Sequence, residues 1–335
     1  MSQLEERYFS PLLNQKRMGK EITPLQQSVR RMVDEHLGDF EGVEVKSGLL
    51  HQVFKIRGSK RVGVLKVREA QLSGLPQYTH NPQDIIYEYR ALQLLNTLCD
   101  TTFQQVLDFD LENALLMTSD VMPSGRTLED ELNDGRTTDE DMYRLGVTVS
   151  TVHNMLKPIP FSSREEGDDE VLQEDVHYRL GYHNNPILNQ LINELNNLPK
   201  QLILADLSPK NIGKDAFGRP TICDLDDFYR GTTTFALGYL SGHVVVHNLH
   251  NSDRTTILLG GLHEGYKDEG ANVDIEGLPF KRVALGTVLY RIYNPLIPYR
   301  RFTQGADIKD KANRAFSLLG DRSLTWDDIT KNMTS

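Results

Sequence analysis

The chain has 335 residues, 39% of them hydrophobic and 25% charged, a balance ordinary for a globular protein long enough to fold as two lobes. Its 37 basic and 47 acidic residues give a formal net charge of −10, which excludes a dominant nucleic-acid partner, because a phosphate backbone demands clustered Lys and Arg. No apolar run approaches the ~18 residues of a membrane helix, so no membrane partner is expected.

In chain order, Met1-Ser2-Gln3-Leu4-Glu5-Glu6-Arg7 has no apolar core, so no secretory leader is expected. Leu25, Val29, Met32, Val33 and Leu37 keep helical spacing up to Gly38, making 1–40 a helical leader. Three strands are predicted next, over Val43–Val45, Gln52–Arg57 and Arg61–Val67, the last two joined by a turn at Gly58-Ser59-Lys60. Lys46-Ser47-Gly48-Leu49-Leu50-His51-Gln52, between the first two, offers a glycine and a small hydroxyl where a loop could fold over phosphates, though any hairpin can look the same. A polar loop follows from Gln71 to Pro82. Behind it Ile85, Tyr89, Leu92 and Leu95 mark an amphipathic helix opened by Asp84. Val106–Phe109 and Ala114–Val121 complete an antiparallel sheet of about five strands. Met122-Pro123-Ser124-Gly125 is a connector. After it Thr138-Asp139-Glu140-Asp141 reads as a helix cap, with Met142, Leu145, Val149, Val152 and Leu156 in helical period behind it. We therefore expect an N-terminal lobe over 1–122 (leader 1–40, sheet plus helix 41–122) and a mainly helical lobe over 123–335. The acidic stretch Ser162–Asp175 is the most linker-like region. Cys99 and Cys223 are too few for a disulfide framework or a four-cysteine zinc site and read as reduced, buried thiols of a cytoplasmic protein.

Three groups of residues carry chemistry. Lys66 stands in the apolar strand Val62-Gly63-Val64-Leu65-Lys66-Val67, where burial without an anionic partner is expensive. Glu88 shares a helix face with Leu92 and Leu95, so it points to the core and suggests an ion pair with Lys66. A strand-edge lysine and a solvated glutamate are the commoner fates of such residues taken singly. The third group is the richest. The apolar run Leu202–Leu204 delivers Asp206 into a loop, and Asn211 follows five residues later. A turn over Asp215–Arg219 and a short strand, Thr221–Cys223, then lead to Asp224. That spacing suits phosphoryl transfer, in which one carboxylate orients the attacking hydroxyl while an amide oxygen and a second carboxylate hold a metal on the phosphates. Taken alone it also suits a surface hairpin built from ordinary turn residues.

The series from loop to strand lysine, helix glutamate, helical region, Asp206, Asn211 and Asp224 resembles the aminoglycoside phosphotransferase and choline kinase-like branch of the protein-kinase superfold. The resemblance covers roughly residues 40–300 and is sharpest at 202–230. It implies an α+β fold of two lobes, a small antiparallel-sheet N-lobe and a mainly helical C-lobe. It further implies Asp206 as the catalytic residue, Lys66, Glu88, Ser47 and Gly48 around the nucleotide, Asn211 and Asp224 as ligands of Mg²⁺, and ATP or GTP as the phosphoryl donor. The helix ending Thr151-Val152-His153 resembles the one that precedes the catalytic loop in these enzymes, although a histidine beside an apolar stripe is usually a core group.

The chain departs from the family in two places. The family has His-Gly-Asp or similar where this chain has Leu204-Ala205-Asp206, and the missing histidine normally supports the loop. After Asp224 the segment Gly231–Gly238 has no acid, and Asp226 and Asp227 are the neighbours that could assist a metal or simply be solvated. No Ala-Pro-Glu pattern appears, which excludes a protein kinase. The function expected is transfer of the γ-phosphate to a hydroxyl of a small molecule: an aminoglycoside, a choline-like compound or a sugar. The alternative is a catalytically silent nucleotide-binding scaffold of the same fold. Nucleotidyl transfer onto protein uses that fold too, but no feature asks for it. The acceptor walls are expected at Pro160–Tyr182 and Gly242–Gly265, where His243, His247 and His250 recur at spacings that suit a polar lining or a buried face better than a metal. Acids at Glu165, Glu166, Asp168, Asp169, Glu170, Glu174 and Asp175, then Asp226 and Asp227, would draw a cationic acceptor, or else 162–175 is a solvated loop without substrate contact.

Overall fold

In the computed structural model the described residues are 4, 7–9, 12, 22–47, 51–71, 79–99, 101–160, 176, 178–181, 184–270, 273–293 and 306–334. The chain divides into two compact units, Met1–Val121 and Met122–Ser335. Gly48, the Ser47 side chain and the acids from Glu165 to Asp175 lie outside the described residues.

The first unit is a five-stranded antiparallel sheet in the order β1-β2-β3-β5-β4, made of β1 (Phe40–Ser47), β2 (Gln52–Gly58), β3 (Val62–Val67), β4 (Val106–Asp110) and β5 (Leu115–Ser119). Helix α1 (Pro24–His36) starts at Thr23, whose hydroxyl accepts from the Gln26 amide while the Gln26 side chain caps in return. Its apolar face buries Val29, Met32 and Val33 in a core with Phe54, Ile56, Leu65, Leu115 and Met117. The chain turns out of this helix through Gly38 at φ +83°, a conformation glycine adopts at least cost. Helix α2 (Ile85–Leu98) lies against β4 and β5 and buries Ile85, Glu88, Ala91, Leu92 and Leu95.

The second unit is mainly helical. Thr127 and Thr138 each close a capping box, with Asp130 and Asp141, and start α3 (Leu128–Asn133) and α4 (Asp139–Leu156). Then come α5 (Pro186–Asn196), β6 (Gln201–Leu204), the hairpin β7 (Ile212–Lys214) and β8 (Pro220–Ile222), and β9 (Phe228–Gly231), which pairs back onto β6. Five helices follow: α6 (Thr233–His247), α7 (Ser252–Asp268), α8 (Leu278–Tyr293), α9 (Ala306–Leu319) and α10 (Trp326–Thr334). Helices α6 and α8 are buried nearly all round and pack on each other. Helices α4 and α7 meet backbone to backbone. A Cβ built at Gly265 would stand 2.1 Å from the Tyr143 carbonyl oxygen, and one at Gly146 would stand 2.3 Å from that of Leu262, so only glycine permits this approach.

Two sequence expectations are corrected. Cys99 and Cys223 form no disulfide and are half-buried instead of buried, each lying just past the end of an element, α2 and β8. His243, His247 and His250 do not share a helix face, since α6 stops at His247. His243 Nε2 accepts from Arg291, His247 Nδ1 lies 3.0 Å from Asn133 Oδ1, and His250 is exposed near Asp307. His153 is a core histidine, its Nδ1 3.0 Å from the Tyr266 hydroxyl, and burial lowers its pKa to about 3. Burial does the same to His263, which contacts Ser241. Because these rings stay neutral in the folded state, the unfolded chain binds more protons as pH falls below about 6.5, and folding is penalised from there down to about 3. His153→Gln should therefore flatten the loss of stability between pH 6.5 and 5, measured by urea unfolding at each pH.

Candidate active site

The candidate residues fall into two clusters, one in each unit. In the first unit β3 pairs with both β2 and β5, which puts Lys66 opposite Val53 on one side and Leu116 on the other. Such a central position would strand an amine among apolar neighbours. Glu88, projecting from the first turn of α2, resolves it: Lys66 Nζ donates to Glu88 Oε1 at 2.6 Å. Lys66 is 7% exposed and Glu88 1%, so this pair is desolvated and strongly coupled.

In the second unit the strand pair β6–β9 and the β7–β8 hairpin it encloses gather three residues. Strand β6 ends at Leu204, and the Ala205 amide donates to the Asp227 carbonyl at 3.0 Å, extending the β6–β9 pairing to the threshold of Asp206. A 3₁₀ turn over Pro209–Asn211 then brings Asn211 back toward Asp206. The Asn211 amide nitrogen donates to Asp206 Oδ2 at 2.8 Å and to the Asp206 carbonyl at 3.2 Å. At the far end of the β7–β8 hairpin the Cys223 amide donates to the Asn211 carbonyl at 2.9 Å, which sets Asp224 beside this loop. Asp224 itself has φ +63°, strained for a residue with a side chain. Strain of this kind is kept where surrounding contacts fix a side chain's direction.

Cations surround Asp206. Lys210 Nζ lies 3.9 Å from Asp206 and 4.0 Å from Asp224, and Arg179 Nη2 lies 3.8 Å from Asp206 Oδ1. Burial pushes the Asp206 carboxyl up, but Lys210, Arg179 and Arg291, with the Ser208 hydroxyl, outweigh it and hold the group below its ordinary value. Asp206 is therefore ionised at neutral pH. Lys210 is held above its ordinary value, since its attraction to Asp206 and Asp224 outweighs burial. Beneath the loop Arg291 of α8 donates to the Tyr239 hydroxyl at 2.5 Å, and Glu129 of α3 is pushed up by burial.

Lys66 and Glu88 thus meet in one unit, and Asp206, Asn211 and Asp224 in the other. Asn211 fits a cation ligand: with its amide nitrogen committed to Asp206, its oxygen is the atom left to offer, and Asp224 supplies a carboxylate near it. Sequence reasoning missed Arg179, Lys210, Tyr239 and Arg291. Lys210 was open to view inside the loop. The other three come from helical segments distant in sequence, where a lone Arg or Tyr gives no signal.

No protein-family model matches the chain, and no curated protein matches it by sequence. Solved structures do. Choline kinase LicA from Streptococcus pneumoniae is 15% identical with a TM-score of 0.55, the match covering 89% of this chain and 99% of that one. Amicoumacin kinase hAmiN, in complex with AMP-PNP, Ca²⁺ and Ami, is 14% identical with a TM-score of 0.56, over 89% of this chain and 93% of that one. Spectinomycin phosphotransferase APH(9)-Ia, in an AMP-bound complex, is 13% identical with a TM-score of 0.51, over 92% and 97%. The chain has the α+β kinase-like fold of the aminoglycoside phosphotransferases and choline kinases.

Removing one member of a buried ion pair leaves its partner's desolvation uncompensated, typically ~3–5 kcal/mol. Lys66→Met should destabilise the protein on that scale. Lys66→Met combined with Glu88→Leu should recover much of the loss, measured by denaturant unfolding of both variants and the Glu88→Leu single.

Proposed function

We propose that the protein is a small-molecule kinase, transferring the γ-phosphate of ATP or GTP to a hydroxyl group. The observation that carries this reading is the convergence of Asp206, Asn211 and Asp224 on one loop, with Asp206 held ionised. An ionised Asp206 accepts a hydrogen bond from the attacking hydroxyl, orients its oxygen and takes its proton as the new ester bond forms. Asn211 and Asp224 are the residues that would hold Mg²⁺, which when bound neutralises charge on the transferring phosphoryl group. Lys66, steadied by Glu88, is the cation for the nucleotide phosphates, and the Ser47-Gly48 loop is the segment that would cover them.

The five positions that the resemblance assigns to the chemistry, Lys66, Glu88, Asp206, Asn211 and Asp224, are filled, which favours an enzyme over a silent scaffold. The acceptor class is a hydroxylated metabolite of the kinds named for the similar structures, choline and aminoglycosides among them, or a sugar. A chain with only two cysteines, Cys99 and Cys223, not joined in a disulfide, fits a reducing, cytoplasmic setting. No described helix is long and apolar enough to cross a membrane.

Asp206→Ala should lower turnover by ~10²–10⁴ while leaving nucleotide affinity nearly intact. A variant that keeps more than about a tenth of wild-type turnover removes Asp206 from this role. Asp224→Asn should abolish the gain in ATP affinity that Mg²⁺ provides, since an amide brings no charge to a hard cation. Calorimetric titration of ATP with and without Mg²⁺ reads this directly, and an unchanged metal effect would move the ligand role to Asp226.

A further inference from the structure

The side chain of Leu204 has no hydrogen-bonding group, so it supports the loop before Asp206 by packing alone. The support that the family draws from a histidine there must come from elsewhere. Arg179, in a helical segment at 178–180, is 7% exposed. Its Nη1 donates to the Ala205 carbonyl at 3.4 Å, and its Nη2 donates to Asp227 Oδ2 at 2.5 Å. The guanidinium carbon lies 4.9 Å from the centroid of the Tyr239 ring, which fixes the plane of the fork. Ala205 and Asp227 are the residues whose backbones are bridged at the threshold of Asp206. One side chain thus grips both segments that carry the chemistry, the one leading into Asp206 and the one leaving Asp224.

We propose that Arg179 is the positioning residue of the catalytic loop, taking over from a different element the support that the absent histidine would give. The inference rests on the reading of Asp206 as the residue that orients the acceptor. The geometry asks for arginine in particular. A planar guanidinium reaches two acceptors in fixed directions and stacks on an aromatic face, whereas an ammonium is a single point of charge. An ion pair serving stability alone would be satisfied by Asp227. The reach to the Ala205 carbonyl and the approach to Asp206 are what tie Arg179 to the reaction.

The test compares wild type with Arg179→Ala and Arg179→Lys, reading amide hydrogen exchange at Ala205 together with steady-state kinetics. Arg179→Ala should speed exchange at Ala205 by about tenfold or more and lower kcat by ~10²-fold, the usual effect of a misplaced reacting group. The KM for ATP should change by less than about threefold, and added guanidinium should restore part of the lost kcat. Arg179→Lys, which keeps charge and bulk, covers the case in which the alanine variant does not fold. It should show the same faster exchange at Ala205 and a smaller fall in kcat. Wild-type exchange at Ala205 in both variants overturns the clamp. Faster exchange with unchanged kcat overturns the positioning role, as does a loss of kcat that guanidinium leaves untouched and that only tracks lowered global stability. If the wild type transfers no phosphate to any acceptor, the reading of Asp206 fails, and exchange at Ala205 still decides the clamp.

Discussion

An ionised carboxylate inside a protein persists only where opposite charge and hydrogen bonds replace the water it has lost. Asp206 meets that constraint through Asn211 on one oxygen, Arg179 near the other, and Lys210 and Arg291 further out. The architecture of the second unit follows from the need to bring those groups together. Two short strand pairs, β6–β9 and the β7–β8 hairpin between them, contribute no large core of their own, yet they set the backbone bridges Ala205–Asp227 and Asn211–Cys223 that aim Asp206, Asn211 and Asp224. The helices behind them, α6 and α8, are buried nearly all round, and three of the polar groups they carry, Tyr239, His243 and Arg291, are joined through Arg291 under the loop. Buried polar networks stiffen a site only when their members are satisfied, and this one is closed by Tyr239 lying between two guanidiniums.

The first unit solves the same problem more simply. One lysine in a central strand and one glutamate in the helix over the sheet neutralise each other at 2.6 Å. A desolvated pair of this kind contributes little net stability compared with an apolar pair of similar volume. On the proposed function, the pair serves to present a fixed cation more than to hold the fold together.

Local signals made most of the fold legible in the sequence. The β-rich runs at 52–57 and 61–67, the helical period behind Asp84 and the Thr138–Asp141 cap each follow from spacing alone, and each corresponds to an element. Element ends were less legible. β1 begins at Phe40, ahead of the β-branched run at Val43, and Ala114 turns at φ +51° instead of joining β5. α3 went unread because its Thr127–Asp130 capping box leads only a six-residue helix. The core-facing direction of Glu88 could be read from its i+4 and i+7 neighbours, and the loop acids from the order of the series. Arg179 could not be read: what places it against Ala205 and Asp227 is tertiary packing around Tyr239, and no periodicity encodes that contact.

The central claim is transfer of a γ-phosphate to a small hydroxylated molecule, and phosphorus NMR of MgATP with the wild-type protein and a panel of cholines, amino alcohols, aminoglycosides and sugars tests it most directly. The account predicts loss of the γ-phosphorus signal with matching growth of ADP and of one new phosphomonoester resonance from the acceptor. Pyrophosphate release with AMP left on the protein, or intact ATP with every acceptor, would contradict it.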